Sequence, residues 1–373
     1  MKRNNLTRAA IALVLTLVLA FAAVPALAET TYTPIGGSTT VTKNLVVDSD
    51  ANIPDITFAF TINRGTAASA TASTIEILSS DVTASIGNAA FTNADTSSAI
   101  PGLPSDADPT NPTAGKKYAQ KTVTVTFPEN SFTKPGVYRY VINETNASLP
   151  GVTYDTNATR YLDVFVVADA SNVLSVDSYV LRDAANTIGT DGSYTVDPDS
   201  KSNGYTNSIT QYDFEFTKTI DGNQGDKNKS FTFTVSIAGA NPGTYPIVAT
   251  GVASAPTSIT VQADGTATAE YSLTNGSSIK ILGLNAGAAC TVSENAQDYT
   301  PTHSIDSATA VSGNASGAVT IDGDHTVAFT NTRNGIIPTG IILTIAPFAI
   351  GLLVFGAVVV FLIAKKRRKY EEE

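Results

Sequence analysis

The chain has 373 residues and a formal net charge of −10 at neutral pH, with 23 Lys and Arg against 33 Asp and Glu. An acidic surface of this kind repels nucleic acids and anionic lipids, so neither is expected as a partner. The single cysteine, Cys290, excludes an intrachain disulfide, and any covalent reinforcement must therefore use other chemistry. The length is enough for two domains of ordinary size, each with its own hydrophobic core.

The first 28 residues have the order of a secretory signal. Lys2 and Arg3 precede a long apolar stretch, residues 9–24, and the small residues Ala-Leu-Ala follow at positions 26–28. A basic segment, an apolar segment and a small-residue cleavage site mark an exported precursor. We predict that residues 1–28 are removed on export and that the mature chain begins at Glu29.

The region between the two ends of the chain is predicted to be all-β. It is rich in Thr, Val, Ser, Asn and Gly, and it has no long apolar pattern of helical period. Residues 122–127 and 231–237 alternate apolar and polar side chains, which is typical of half-buried strands. A polar stretch at residues 79–121, rich in Ala, Thr, Asp, Pro and Gly, predicts long loops on the surface of the first half.

Two halves of this region follow one plan. In each half, the first predicted strand contains a lysine, a later strand ends on a glutamate, and the last strand contains an asparagine. These residues are Lys43, Glu144 and Asn207 in the first half, and Lys218, Glu294 and Asn331 in the second. We predict two tandem β-sandwich domains, residues 29–210 and 211–335. Their junction at residues 208–213 is so short that a stiff rod is expected.

The phase of these six residues places them on the apolar faces of their strands. Side chains two residues apart on a strand share a face. Lys43 is in phase with Val41 and Leu45, and the other five residues are in phase with apolar neighbours in the same way. For a single lysine, a gatekeeper role on an edge strand is the simpler explanation, and Glu294 and its neighbours also fit a turn. Six residues in matching order favour burial.

Burial of these residue types predicts a specific reaction. A buried lysine and glutamate must pair, neutralise or react, because desolvation lowers the pKa of lysine and raises that of glutamate. A neutral amine is a nucleophile for the asparagine carbonyl, and a protonated glutamate polarises that carbonyl and shuttles protons while ammonia leaves. We predict isopeptide bonds from Lys43 to Asn207 and from Lys218 to Asn331, with Glu144 and Glu294 as the catalytic residues.

The C-terminal end combines a short motif, an apolar stretch and a basic tail. Ile-Ile-Pro-Thr-Gly at residues 336–340 precedes an uncharged apolar stretch, residues 341–364, which is long enough to cross a membrane. The basic cluster at residues 365–369 would hold its end in the cytoplasm. This order resembles a sortase sorting signal, which the enzyme cuts between Thr339 and Gly340 to pass the Thr339 carbonyl to an amine. A plain membrane anchor is the alternative.

Both halves resemble the isopeptide-linkage domains of streptococcal-type backbone pilins, over nearly the whole chain. The pentad also resembles the variant pentads of some pilins, which differ from the usual motif that begins with Leu. The resemblance implies an immunoglobulin-like sandwich, with the lysine on the first strand, the asparagine on the last and the glutamate between them in the core. The segments that carry it are residues 41–45 (Val-Thr-Lys-Asn-Leu), 134–138 (Lys-Pro-Gly-Val-Tyr), 151–155 (Gly-Val-Thr-Tyr-Asp) and 345–349 (Ile-Ala-Pro-Phe-Ala).

The resemblance also implies an exposed lysine, just before the asparagine strand of the first domain, that accepts the Thr339 carbonyl of a neighbouring subunit. Lys201 occupies this place, although no diagnostic motif surrounds it and the Tyr-Pro-Lys motif of other sortase-built pili is absent. A solvated loop lysine is the simpler explanation for Lys201. The rival acceptors are Lys116, Lys117, Lys134, Lys227 and Lys229.

Together these features predict a secreted structural protein of a Gram-positive cell surface, the major subunit of a sortase-assembled pilus. The expected partners are a sortase, identical pilin subunits, minor or basal pilins and peptidoglycan, and the membrane holds only the precursor. A monomeric wall-anchored adhesin is the alternative. An enzyme is not expected, because the reactive sets are buried and act once. No cofactor is expected, and His303 and His325 are too few to indicate a metal.

Overall fold

The computed structural model describes residues 31–69, 76–95, 98–99, 115–184, 201–335 and 340–370. Strands make up almost all of the regular structure in this part of the chain, followed by one helix at the C-terminal end. The strands form two sandwiches in tandem, which confirms the predicted all-β, two-domain class. The predicted signal at residues 1–28 lies outside the described residues.

The first half of the chain holds strands β1 to β13. Their bounds are β1 Ile35–Asp48, β2 Ile56–Phe58, β3 Phe60–Arg64, β4 Ile77–Leu78, β5 Ser85–Ile86, β6 Ala89–Phe91, β7 Ser98–Ala99, β8 Lys116–Phe132, β9 Gly136–Glu144, β10 Val152–Thr153, β11 Thr159–Ala168, β12 Leu174–Arg182 and β13 Tyr205–Ile209. One sheet has the order β10-β13-β1-β8-β5, with β7 also beside β8, and the other has the order β12-β11-β9-β3, with β4 beside β9. Strands β2 and β6 form a separate two-stranded sheet.

The second half of the chain holds strands β14 to β24. Their bounds are β14 Gln211–Asp221, β15 Phe231–Ala238, β16 Gly243–Thr250, β17 Ser258–Val261, β18 Ala267–Leu273, β19 Ser278–Asn285, β20 Ala289–Glu294, β21 Thr300–Ile305, β22 Val311–Ser312, β23 Ala315–Thr320 and β24 His325–Thr332. The larger sheet has the order β17-β16-β19-β14-β24-β21-β22, and the smaller has the order β18-β15-β20-β23. In each half the first and last long strands are parallel neighbours, β1 beside β13 and β14 beside β24.

Each half has its own core, made by the inward faces of its two sheets. Strand β15 shows how the sequence specifies this: Phe231, Phe233, Val235 and Ile237 are buried, and the residues between them face outward. The alternation follows from the two-residue period of side chains along a strand. The predicted strands at residues 122–127 and 231–237 lie within β8 and β15.

The prediction that residues 79–121 form long surface loops is wrong for the part that the structure describes. Strands β5, β6 and β7 and the start of β8 lie in this stretch. Ala84, Ala89 and Phe91 pack into the first core, and the Phe91 ring meets Phe58 edge-on with centroids 5.9 Å apart. These strands are too short for a periodic pattern to reveal, and their burial depends on distant partners.

The two halves meet at a short joint. Only Thr210 separates β13 from β14. The Asp48 backbone N–H donates to Gln211 Oε1 at 3.0 Å, and Gln211 Nε2 donates to the Gly283 carbonyl at 2.8 Å. Gly283 has a φ of +71°, and a Cβ there would lie 2.3 Å from the Ala51 Cβ. These contacts tie the two halves directly to each other, as a stiff joint requires.

The helix α1 spans Gly340–Tyr370. Its segment Phe348–Lys366 has a mean hydropathy of 2.6, and it is long and apolar enough to cross a membrane. The apolar side chains described in this segment are exposed rather than packed against the sandwiches. This helix fits the transmembrane segment that the sequence predicts.

Candidate functional site

In both halves the sheet register brings the lysine and the asparagine onto neighbouring parallel strands. On β1 and β13, Lys43 lies opposite Tyr205 and Leu45 lies opposite Asn207. On β14 and β24 the same offset recurs, with Lys218 opposite Phe329 and Ile220 opposite Asn331. Residues two apart share a face of the sheet. The lysine and the asparagine therefore both point into the core. On the neighbouring strand the asparagine lies two residues beyond the position opposite the lysine.

The glutamate reaches the same place from the facing sheet. Glu144 is the last residue of β9 and lies opposite Phe60, and Glu294 is the last residue of β20 and lies opposite Phe233. Strand β20 thus continues through Glu294, so the turn considered for residues 293–295 begins only after it. Each core therefore receives its glutamate from across the sandwich.

All six side chains are buried. Lys43, Asn207 and Asn331 are 0 % exposed, and Lys218, Glu294 and Glu144 are also buried. Strands β1 and β14 are interior strands with a partner on each side. The gatekeeper explanation for the two lysines is therefore excluded, because a gatekeeper lies on an exposed edge.

In the first half, Glu144 bridges the amine and the amide nitrogen. Lys43 Nζ lies 2.6 Å from Glu144 Oε1, and Asn207 Nδ2 donates to the same oxygen at 2.8 Å. The Asn207 carbonyl oxygen, Oδ1, accepts a hydrogen bond from the Asp155 backbone N–H at 2.8 Å. Glu144 thus contacts both nitrogens between which a proton must move. The carbonyl that the sequence analysis expected Glu144 to polarise is hydrogen-bonded to the Asp155 N–H instead.

In the second half, Lys218 Nζ donates to Glu294 Oε2 at 2.7 Å. Glu294 Oε1 and both amide atoms of Asn331 have no hydrogen bond of normal geometry within the described part of the chain. Unpaired buried polar atoms cost folding free energy. The second site is thus assembled from the same three residue types with fewer supporting contacts.

Aromatic rings surround both amines. Lys43 Nζ lies 4.7 Å from the centroid of the Phe58 ring and 5.8 Å from that of Tyr205. Lys218 Nζ lies 4.5 Å from the centroid of Phe231 and 5.7 Å from that of Phe233. These rings exclude water from the amine. The sequence analysis missed this role, although an alternating pair of phenylalanines recurs in both halves.

Burial shifts the acid–base equilibria in the direction that the reaction requires. Desolvation lowers the pKa of Lys43 to about 8, against the opposing attraction of Glu144. Desolvation also lowers the pKa of Lys218 and raises the pKa of Glu294, although the contact between the two opposes both shifts. Each shift favours the neutral form of its group. A neutral amine is the nucleophilic form of lysine.

Arg160 and Asp155 complete the first site, and neither was predicted as a site residue. Arg160 is buried, its Nη2 donates to Asp155 Oδ2 at 3.0 Å, and its guanidinium carbon lies 4.7 Å from the centroid of the Tyr205 ring. Arg160 Nε donates to the Ser202 hydroxyl at 2.7 Å. Asp155 is the last residue of 151–155, one of the segments that resemble the pilin family. That resemblance was the one sequence feature that could have pointed to Asp155 as a site residue.

Lys201 lies just before β13 and is exposed. Its backbone bridges Arg182 at the end of β12, and it forms no ion pair with any residue that the structure describes. The rivals Lys116, Lys134 and Lys229 form ion pairs with Asp48, Glu76 and Asp298, respectively. Thr339 lies outside the described residues, and Gly340 begins helix α1.

No other feature of the described residues competes with these sites. No group of three His, Cys, Asp or Glu side chains among them could hold a metal ion. Cys290 is buried in the second core, where desolvation raises the pKa of its thiol to about 12, so it is not a nucleophile at neutral pH.

Two family models match the chain. Residues 39–210 match the Spy0128-like isopeptide containing domain, and residues 212–333 match a domain of unknown function. A pilin from Streptococcus pyogenes serotype M1 is 26% identical over 345 residues, which cover 87% of this chain and 90% of that pilin.

Solved structures of major pilins from Streptococcus pyogenes are also similar. One is 25% identical with a TM-score of 0.49 and covers 80% of this chain and 99% of its own. The major pilin T3.2 is 20% identical with a TM-score of 0.48, covering 79% and 97%. The isopeptide domain family matched over residues 39–210 and the pilin relative aligned over most of both lengths together support a Gram-positive pilin.

Proposed function

We propose that this pilin is a shaft subunit which a sortase links covalently to identical subunits, and that one isopeptide bond locks each of its domains, residues 29–210 and 211–335. The observation that carries the proposal is a buried lysine–glutamate pair in each half, with an asparagine on the parallel neighbouring strand at the same offset. Two unrelated cores would not repeat this arrangement by chance. Similarity to pilins supports assembly with other pilin subunits.

The bond-forming step balances without an oxidant or a cofactor. The neutral lysine amine attacks the asparagine Cγ, the glutamate carries a proton from the amine to the amide nitrogen, and that nitrogen leaves as ammonia. One C–N bond forms and one C–N bond breaks. The fixed positions of Lys43, Glu144 and Asn207 in a packed core supply the proximity that makes such a reaction fast.

The C-terminal segments support sorting at the cell surface. In this proposal α1 holds the exported precursor in the membrane, and a sortase cuts after Thr339 and joins the Thr339 carbonyl to Lys201 of another subunit. Exposure of Lys201 and its freedom from ion pairs with the described residues suit an acceptor amine. Minor or basal pilins and peptidoglycan are the further partners at the cell wall.

Intact mass of the mature protein tests the internal bonds. We expect the mass of residues 29–339 to fall short of the sequence mass by two ammonias. A Glu144→Ala variant is expected to fold and to retain the first ammonia, because the proton carrier is gone. A Glu129→Ala variant, altered at an exposed position of β8 in the same domain, serves as the control and is expected to lose both ammonias. A mature chain at full sequence mass would refute the internal bonds.

Branched peptides from cell-wall extracts test the polymer. We expect a peptide in which Thr339 is joined to the Lys201 side chain, together with a detergent-resistant ladder of subunits. A Lys201→Arg variant is expected to abolish the ladder while the control Lys134→Arg keeps it. A single anchored species from the unaltered chain would contradict the shaft and favour the monomeric adhesin. A ladder that persists in Lys201→Arg would move the acceptor to another lysine.

A further inference from the structure

The hydrogen bonds around Asn207 define which way its amide faces. A backbone N–H can only donate, so the amide atom 2.8 Å from the Asp155 N–H is the oxygen, Oδ1. The amide nitrogen then faces Glu144 Oε1, also at 2.8 Å. The two polar atoms of the amide therefore have different partners. The nitrogen, which leaves as ammonia, contacts the proton carrier Glu144, and the oxygen, which gains negative charge, contacts the Asp155 N–H.

The Asp155 N–H is held in this position by its own side chain. Asp155 Oδ2 accepts from the Thr206 backbone N–H at 2.9 Å and from Arg160 Nη2 at 3.0 Å. Asp155 Oδ1 accepts from the Asn157 backbone N–H at 2.9 Å. Both oxygens of the carboxylate are thus engaged, one by the residue directly before Asn207 and one by the loop that follows. The N–H is aimed before any reaction begins.

We propose that the Asp155 backbone N–H is the oxyanion donor for isopeptide formation in the first domain, an inference that rests on the proposed function. When the Lys43 amine bonds to Asn207 Cγ, the carbonyl electron pair moves onto Oδ1. A preorganised donor at hydrogen-bond distance stabilises that charge in a site that excludes water. As the intermediate collapses and ammonia leaves, the same N–H remains bonded to the carbonyl oxygen of the new amide.

Among the described residues, no matching donor contacts the asparagine carbonyl of the second domain. Asn331 Oδ1 has no hydrogen bond of normal geometry within the described residues. The two sites therefore share the amine, the acid and the amide, and they differ in the stabilisation of the oxyanion. The first bond is accordingly expected to form faster than the second.

Two variants at one position separate the N–H from the carboxylate. Asp155→Ala keeps the N–H and removes the carboxylate, and Asp155→Pro removes both. Each mature chain is made by cell-free translation, pulse-labelled, quenched in denaturant over time and digested. The branched peptides Lys43–Asn207 and Lys218–Asn331 are then counted. We expect the first bond to form about 10²- to 10³-fold more slowly in Asp155→Pro than in Asp155→Ala, the effect of losing one oxyanion donor.

The second bond in the same molecules is the internal control and is expected to form at one rate in all chains. Equal first-bond rates in the two variants would overturn the inference and leave the proposed function intact. Absence of both branched peptides from the unaltered chain would overturn the proposed function and the inference with it. Should Asp155→Pro fail to fold, amide hydrogen exchange of the unaltered chain decides: protection of the Asp155 N–H supports the donor, and exchange at the rate of an exposed loop overturns it.

Discussion

The two domains bring a lysine and an asparagine together by one strand register, yet they surround the asparagine differently. In both, the lysine lies opposite the aromatic residue two positions before the asparagine, and the glutamate arrives from the facing sheet. In the first domain both ends of the Asn207 amide are hydrogen-bonded. In the second, neither amide atom of Asn331 has a hydrogen bond of normal geometry within the described residues, although the Asn331 side chain helps to lower the pKa of Glu294 against desolvation.

This difference shows that the strands of the sandwich bring the three reacting side chains together, whereas a loop provides the hydrogen bond to the asparagine carbonyl. The meeting of lysine, glutamate and asparagine depends on long ladders between strands, which both halves share. The hydrogen bond to the Asn207 carbonyl comes from the short segment after β10, where Asp155 lies, and Arg160 of β11 anchors that segment. A crosslinking core can therefore keep its reactants while the surroundings of the carbonyl vary.

The largest effect is expected on removing either glutamate, and it tests whether the domains are equivalent. Glu144→Gln and Glu294→Gln should each retain one ammonia by intact mass. Each should also lose about 5 kcal/mol of unfolding free energy, the entropic value of a crosslink that closes a loop of more than about 100 residues. Urea unfolding measures that loss. A variant that still loses both ammonias would show that its glutamate is dispensable and that the two sites react differently.

The next effect concerns Arg160, which has no counterpart in the second domain. Arg160→Met leaves Asp155 partly buried and without its cation, and removing one partner of a buried pair costs about 3 kcal/mol. The matched control is Arg333→Met, because Arg333 also lies by an aromatic ring, Tyr299, and pairs with Asp298, but is largely exposed. Its cost is expected to be much smaller, because solvent screens an exposed pair. Similar losses in urea unfolding would contradict the anchoring role of Arg160.

The pH dependence of bond formation sharpens the comparison of the amines. Burial lowers the pKa of Lys43 to about 8, so the neutral fraction, and with it the rate of the first bond, should rise about tenfold per unit below that pH and level off above it. An unshifted lysine would keep gaining neutral amine up to about pH 10. Pulse-labelled chains at different pH values give the profile. Continued acceleration of the first bond beyond pH 9 would contradict the desolvated amine.

The smallest effect is expected at His303, which lies on β21 beside the asparagine strand β24 of the second domain. Its ring lies 5.7 Å from that of Phe329, the residue opposite Lys218. His303→Ala should lose about 1 kcal/mol in urea unfolding, the value of an aromatic pair, and His303→Phe should retain most of it. Neither should change the yield of the second bond. A lower yield in His303→Ala alone would give the ring a role in the reaction.

Several features of the fold and of the sites could be predicted from the sequence because they depend on local periodicity. The alternation in strands such as β15 indicates the β class, and the phase of Lys43, Glu144 and Asn207 indicates that they face the core. The prediction failed for residues 79–121, where strands of two or three residues carry no readable period. Phe91 is buried there because strand β2 lies beside β6.

The sequence by itself determined the chemistry that is available: two lysines, two glutamates and two asparagines in phase with apolar neighbours, between an export signal and a sorting motif. Only the tertiary structure decided which atoms meet. The offset between β1 and β13, the rings around each amine and the Asp155 N–H on the Asn207 carbonyl all join residues far apart in the chain. Such contacts depend on which distant strands pair and how loops close between them, and a pattern read within one segment does not specify its distant partner.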